Sequence, residues 1–247
     1  MKPGGAEVKS PAAYRAIWDR KAGLRAVYSD IYRRMLSVAV PGRILELGGG
    51  SGNFKTFAPN AVSTDILSAP WLDVVCDAQR LPFPDQLFSN VMMMDVLHHV
   101  ENPLRALREV CGVLRIGGRL ILCEPAITPL SGIFYGLFHE EPVDMSADPL
   151  REGSISADRN PYDSNQAIPT LLVDRYRAAL AAALPELALV QVDWFSFLAY
   201  PLSGGFQPWS LLPAKVAEPL LALEWRLRHT LGRLAAFRLL AVYERLR

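Results

Sequence analysis

The chain has 247 residues, is 51% hydrophobic and carries 26 basic against 25 acidic side chains. That length and apolar content suit one large domain with an ample core, and a net charge of +1 offers no general attraction for nucleic acid. The apolar stretches fall short of the roughly 18 residues that a membrane-spanning helix needs, being broken by charges such as Asp95, Glu186 and Arg238.

The opening MKPGGAEVKS puts glycines and charges where a secretory signal has an apolar block, so export is not expected. Cys76, Cys111 and Cys123 lie far apart without a CxxC spacing, which predicts free thiols in a reducing, cytoplasmic setting. Charge is uneven: residues 1–43 hold 9 basic and 3 acidic side chains, 44–210 hold 10 and 19, and 211–247 hold 7 and 3. Solvated helix faces account for basic ends of this kind, and so does docking of an anionic acceptor or peripheral contact with a lipid surface.

In chain order, Tyr14, Ile17, Trp18, Leu24, Tyr28, Ile31 and Met35 recur at helical spacing and predict one amphipathic helix over 11–39, ended by Pro41 and Gly42. Short apolar runs at 43–47, 61–65 and 72–76 predict three strands, and 88–94 a fourth. A helix over 102–114, with Leu104, Leu107, Val110 and Leu114 on one side, leads through Gly117 and Gly118 into a fifth strand at 119–123. Residues 126–169 are rich in prolines and polar side chains around the apolar stretch 133–138, which reads as a lid-like insertion. A helix over 171–184, a strand over 187–198, a helix over 213–231 and a closing strand over 235–243 complete the chain.

This alternation predicts an α/β fold: a Rossmann-like, doubly wound, mostly parallel seven-stranded sheet with helices on both faces. In such sheets, ligands collect outside the carboxyl ends of the strands. The organisation reads as one domain over 1–247, with a helical extension to residue 40, a cofactor-binding core over 43–125, an acceptor and lid region over 126–210, and a closing helix and strand over 211–247.

The decisive stretch is ILELGGGSGN at 44–53, a strand running into glycines at 48, 49, 50 and 52. Only glycine lets backbone approach a ligand this closely, and four exceed the need of a turn. The dinucleotide pattern GxGxxG fails in both registers, because Asn53 and Lys55 stand where its last glycine belongs. A carboxylate at Glu46 is unfavourable beside a pyrophosphate but suits an ammonium or sulfonium. S-adenosylmethionine bears both. Asp65, ending the second strand, is placed for the ribose hydroxyls as in NAD sites. Asp77, in CDAQRLPF, follows the third strand, where its carboxylate would meet an adenine amino group while Ala78 offers an amide; a plain turn carboxylate is the competing reading.

Taken together, ELGGGSG, STDI, VCDAQRLPFPDQLF and MMMDVLHHVENPLRALREVCGVLRIGGRLILCEP resemble the type 11 group of class I methyltransferases, which includes the ubiquinone and menaquinone C-methyltransferases. The resemblance implies that Gly48, Gly49 and Gly50 hold the methionine part of S-adenosylmethionine, supported by Glu46. It places Asp65 at the ribose with Ile66 beside it, Asp77 and Ala78 at the adenine, and Met94 and Asp95 against the cofactor after the fourth strand. Ser89 and Asn90 depart from the group's pattern, and only twelve residues separate Gly52 from Asp65, so the first crossover helix is expected to be short or absent.

The function expected is methyl transfer to oxygen, nitrogen or carbon of a small, partly apolar acceptor. The methyl carbon of a sulfonium is already electrophilic, so positioning, worth roughly 7–11 kcal/mol, suffices for much of the rate. His98, His99 and His139 are the candidate bases, with a structural role the competing reading for His99 above all; His139 has Glu140 and Glu141 adjoining and follows the aromatic IFYGLF. No metal site is expected at His98 and His99, neighbours without a third ligand at a usual spacing. Loops at 158–170 and 200–209 are candidate caps over the acceptor. An NAD(P)-dependent oxidoreductase and a non-catalytic S-adenosylmethionine-binding partner are the competing readings.

Overall fold

A computed structural model describes residues 10–138, 141–156 and 158–247. The predicted N-terminal helix is two helices, α1 (Pro11–Arg20) and α2 (Ala22–Ser37). The break is at Lys21, whose backbone is extended at φ −103° and ψ 92°. Its ammonium explains the break, because it bonds the carbonyls of Gly205 (2.5 Å) and Gln207 (2.9 Å) far along the chain.

The strands β1 (Ile44–Leu47), β2 (Val62–Asp65), β3 (Val74–Val75) and β4 (Phe88–Met94) follow, as expected from their apolar runs. Between β1 and β2 the chain makes only a single 3-10 turn, Phe54–Thr56. Next come α3 (Pro103–Val113) and β5 (Leu114–Pro125), which starts earlier than its apolar centre suggests because Leu114 already pairs with Phe88. The insertion contains α4 (Pro129–Phe138). The helix expected over 171–184 is two short ones, α5 (Ile168–Val173) and α6 (Arg177–Ala183). The chain ends with β6 (Leu187–Phe195), α7 (Ala199–Ser203), α8 (Ala214–Ala235) and β7 (Arg238–Arg245).

The seven strands form one sheet in the order β3-β2-β1-β4-β5-β7-β6, parallel except for β7, which runs antiparallel to both β5 and β6. Side chains alternate between its faces, apart from irregularities at Phe88/Asn90 and Leu189/Gln191. Val91, Met93, Leu120, Leu122, Leu239 and Ala241 pack on one side with α3, α5 and α6. Met92, Ile121, Cys123, Leu240 and Val242 pack on the other with Leu24, Val27, Ile31 and Met35 of α2 and Ala217 and Leu221 of α8. Tyr32 of α2 meets Phe54 (5.4 Å) and Phe57 (5.3 Å), so α2 covers the face beside the turn that replaces a first crossover helix.

Asn90, a polar residue in a fully buried strand position, is satisfied by the linker after α2: Nδ2 donates to Val40 O (2.7 Å) and Oδ1 accepts from Val40 N (2.9 Å). No described helix is long and apolar enough to cross a membrane.

Candidate active site

The glycine loop leaves β1 with Gly48, Gly50 and Gly52 at φ +76°, +43° and +74°, a region open to glycine and costly for other residues. Its underside is closed. A Cβ on Gly48 would lie 2.1 Å from Val96, on Gly49 2.2 Å from Ser63 Oγ, and on Gly52 2.4 Å from Trp71. Gly50 differs: a Cβ there would find no described atom nearer than the Gly48 carbonyl at 3.8 Å. The space a ligand would need therefore lies over Gly50. Trp71 braces the loop by donating from its indole nitrogen to Gly50 O (2.8 Å), and the Arg15 guanidinium of α1 lies 4.5 Å above its ring.

Three of the loop amides are spent within the chain. Gly49 N donates to Thr64 O (2.8 Å), Gly50 N to Asp65 Oδ2 (2.9 Å), and Gly52 N to Gly49 O (2.7 Å). The turn beyond them is not an α-helix, so no helix dipole awaits a phosphate. Asp65 also accepts from Leu67 N at Oδ1 (2.9 Å). Each carboxylate oxygen keeps a lone pair, which fits a pair of vicinal hydroxyls. Ile66, next to it, is 50% exposed at the strand end, an apolar surface left for a ligand.

Glu46 lies beneath Gly49, buried, and accepts a short hydrogen bond from Ser63 Oγ. Burial pushes its carboxyl up to about 7 against the opposing Ser63 bond, with the Asp65 charge adding to the rise. Asp77 closes a turn on Gln79, accepting from its backbone N (2.8 Å) and its amide (3.1 Å). Gln79 in turn accepts from Asn102 N (2.9 Å), which ties the turn at Asp77 and Ala78 to the start of α3.

At the end of β4, Met94 is half-buried and Asp95 stands at φ +58°. Asp95 accepts from Tyr28 Oη (3.0 Å) and pairs with Arg238 Nη2 (2.5 Å), which sequence reasoning missed because 142 residues lie between them in the sequence. Burial opposes the charge on Arg238, yet Asp95 together with Cys123, Tyr200 and Tyr28 more than offsets it and its pKa is raised.

His98 is placed differently from a general base. Its Nδ1 lies 2.6 Å from Glu124 Oε2, its Nε2 3.6 Å from Glu141 Oε2, and the side chain is 3% exposed. Burial disfavours its charge, but the Glu124 bond and charge, followed by those of Glu141, win and lift the imidazole to about 10. Set between two carboxylates, the ring is held in its protonated form. Glu124 also accepts from Val96 N (2.9 Å) and Leu97 N (2.8 Å), so His98 holds the loop after β4 in place.

His99 stacks on His98 at 4.1 Å and is pushed down to about 4 by burial and by the charge of His98. The sequence showed no third ligand beside these histidines. The structure brings in Glu141, with ligand atoms of all three within 4.8 Å, although the carboxylates on both sides of His98 make this an ion-pair cluster. His139 lies outside the described residues.

Both candidate cap loops converge on α1. Tyr14 stacks on Tyr162 (6.4 Å) and meets Phe206 edge-on (5.1 Å), while Phe206 also meets Tyr28 (5.3 Å). An aromatic roof thus stands near Asp95, joined to it through Tyr28.

A mostly parallel sheet in this order, with a glycine loop after β1 and carboxylates at successive strand ends, defines a class I, Rossmann-like methyltransferase fold. Residues 45–122 match the family model described as a methyltransferase domain. It is 33% identical over 141 residues to a demethylmenaquinone methyltransferase of Mycobacterium marinum, covering 55% of this chain and 57% of that one. It is 32% identical over 124 residues to a ubiquinone/menaquinone biosynthesis C-methyltransferase of Bordetella parapertussis, covering 42% and 48%. The chain spans about half the length of the curated relatives it matches.

Among solved structures, it shares its fold with a SAM-dependent methyltransferase of Archaeoglobus fulgidus (TM-score 0.53, 11% identity, 90% of this chain and 94% of that one). The cyclase SpnF is a neighbour of the same kind (TM-score 0.51, 18% identity, 89% and 81%). Likeness at such identity speaks to fold alone.

Proposed function

We propose that the chain transfers the methyl group of S-adenosylmethionine to a small, partly apolar acceptor. The observation that carries this is the state of the glycine loop: the amides of Gly49, Gly50 and Gly52 are committed within the chain and carboxylates lie beneath and beside it. A pyrophosphate would meet the Glu46 and Asp65 carboxylates there, whereas a ligand bearing ammonium and sulfonium groups meets the sign it needs. Lys55, the cation nearest in sequence, is turned to Asp73 at 2.6 Å.

In this reading Glu46 supports the cofactor's amino group under Gly48, Gly49 and Gly50. Asp65 takes the ribose with Ile66 against it, Asp77 and Ala78 face the adenine, and Met94 and Asp95 flank the methionine portion. When bound, S-adenosylmethionine supplies an electrophilic methyl on sulfur. The protein's part is to align the acceptor and exclude water, a role that the roof of Tyr14, Tyr28, Tyr162 and Phe206 fits. The relatives' names specify quinone biosynthesis, which agrees with an apolar, ring-bearing acceptor.

Calorimetric titration with S-adenosylhomocysteine and with NADH tests the cofactor. Binding of the first alone is expected, and binding of NADH alone would overturn the reading. Radiolabelled methyl transfer into a small-molecule extract, with the labelled product identified, then tests catalysis. Absence of any labelled product would leave a binding protein instead.

A further inference from the structure

Arg238 opens β7 and, because that strand is antiparallel, lies opposite Pro125 and Phe195 at the carboxyl ends of β5 and β6. Ligands gather at this edge of the sheet. The side chain is fully buried, with Nη2 serving Asp95 (2.5 Å) and the Cys123 carbonyl (3.3 Å) and the Tyr200 ring 4.8 Å from Cζ. Among the described residues, Nε and Nη1 have no partner.

A buried donor left unmade costs roughly 1–3 kcal/mol, and more on a charged group. Packing does not require the cation, since its chain neighbours Phe237 and Leu239 are buried apolar side chains. Each oxygen of Asp95 already holds one partner, Oδ1 with Arg238 and Oδ2 with Tyr28. The guanidinium's uncommitted Nε and Nη1 are donors, and they suit an oxygen with lone pairs better than a nitrogen that carries hydrogens.

We propose that Arg238, backed by Asp95, recognises the hydroxyl of an aromatic acceptor and holds it as a phenolate, the proton being released to solvent. The aromatic walls nearby, Tyr28, Tyr200 and Phe206, suit a planar ring. Tyr200, which now covers the guanidinium, rides on the short α7 between left-handed backbone at Ser196 (φ +62°) and Gly204 (φ +69°). The inference rests on the methyl-transfer reading for the meaning of the site, but its test does not depend on transfer.

The probes are 4-nitrophenol, whose absorbance reports its ionisation, and 4-nitroaniline, its nitrogen counterpart, each titrated with and without S-adenosylhomocysteine. At a pH where free nitrophenol is mostly protonated, the phenolate band is expected to grow on binding, and nitrophenol is expected to bind at least tenfold more tightly than nitroaniline. R238M should abolish the band growth and level the two affinities.

Equal affinity for the two probes, no growth of the phenolate band, or full retention of both effects in R238M would each overturn the proposal. If R238M does not fold, the two probes on the parent protein decide the matter alone. Failure to bind S-adenosylhomocysteine would count against methyl transfer and is read separately from the probe preference.

Discussion

His98 and Glu124 face each other at 2.6 Å with side chains 3% and 0% exposed, a charged pair sealed behind the loop that follows β4. Removing one member of such a pair leaves the other buried and uncompensated, so H98A is expected to cost about 3–5 kcal/mol. The folded imidazole titrates at about 10 against an ordinary 6.5, so its contribution is complete below 6.5 and is lost as pH rises through about 10. Glu124 is lowered from 4.5, so its contribution is present above that value and is lost in acid. Urea midpoints of parent and H98A should differ most between these limits and converge toward pH 10. A gap independent of pH would contradict the pairing.

Glu46 has the opposite linkage. Its carboxyl is raised from 4.5 to about 7, so the folded state favours the protonated form and stability from this group declines as pH rises through about 7. E46Q should therefore melt higher than the parent above pH 7 and equally near pH 4. A cofactor ammonium nearby favours the carboxylate, so S-adenosylhomocysteine binding below pH 7 should release protons. Calorimetric heats in buffers of different ionisation enthalpy check this, and identical heats would separate Glu46 from the ligand.

The glycines are expected to divide by role. At Gly50 an alanine meets only left-handed backbone strain, about 1–2 kcal/mol, and its methyl enters the open space. At Gly48 the methyl would also strike Val96 at 2.1 Å. G50A should keep its fold and lose at least tenfold in S-adenosylhomocysteine affinity, whereas G48A should lose stability first. Melting curves read beside calorimetric titrations distinguish the two outcomes.

Asp65 both orients the loop through Gly50 N and is offered to the ribose. D65A should weaken S-adenosylhomocysteine at least tenfold, about 1.4 kcal/mol. A ligand lacking the 2′-hydroxyl separates the two roles. It should bind the parent weakly and D65A no more weakly still, and a full additive loss would mean that Asp65 acts only through the loop.

What was legible in the sequence was local. The apolar run at 88–94 gave β4 to the residue, and the short span from Gly52 to Asp65 foretold a first crossover helix short or absent, where the chain makes a single 3-10 turn. The break at Lys21 was hidden because Tyr14, Ile17, Leu24 and Tyr28 stay in helical phase across it, while its cause is a bond to Gly205. His98 looked like a base because its neighbours in sequence do not show Glu124 and Glu141, which close on the ring from β5 and the insertion. Arg238 read as a charge in a closing strand, since neither Asp95 nor the empty valences of its guanidinium can be seen from the strand's own pattern.

The strand made last, β7, is not an edge but the seam between β5 and β6. Until it is in place, β6 has nothing in the sheet to pair with, and the inner face of α8 waits for Leu240 and Val242. Assembly of this half must therefore be late and must join distant parts of the chain, the kind of contact that slows folding. Loss of the final ten residues would unzip the sheet from within, taking Arg238 and the floor of the ligand edge with it.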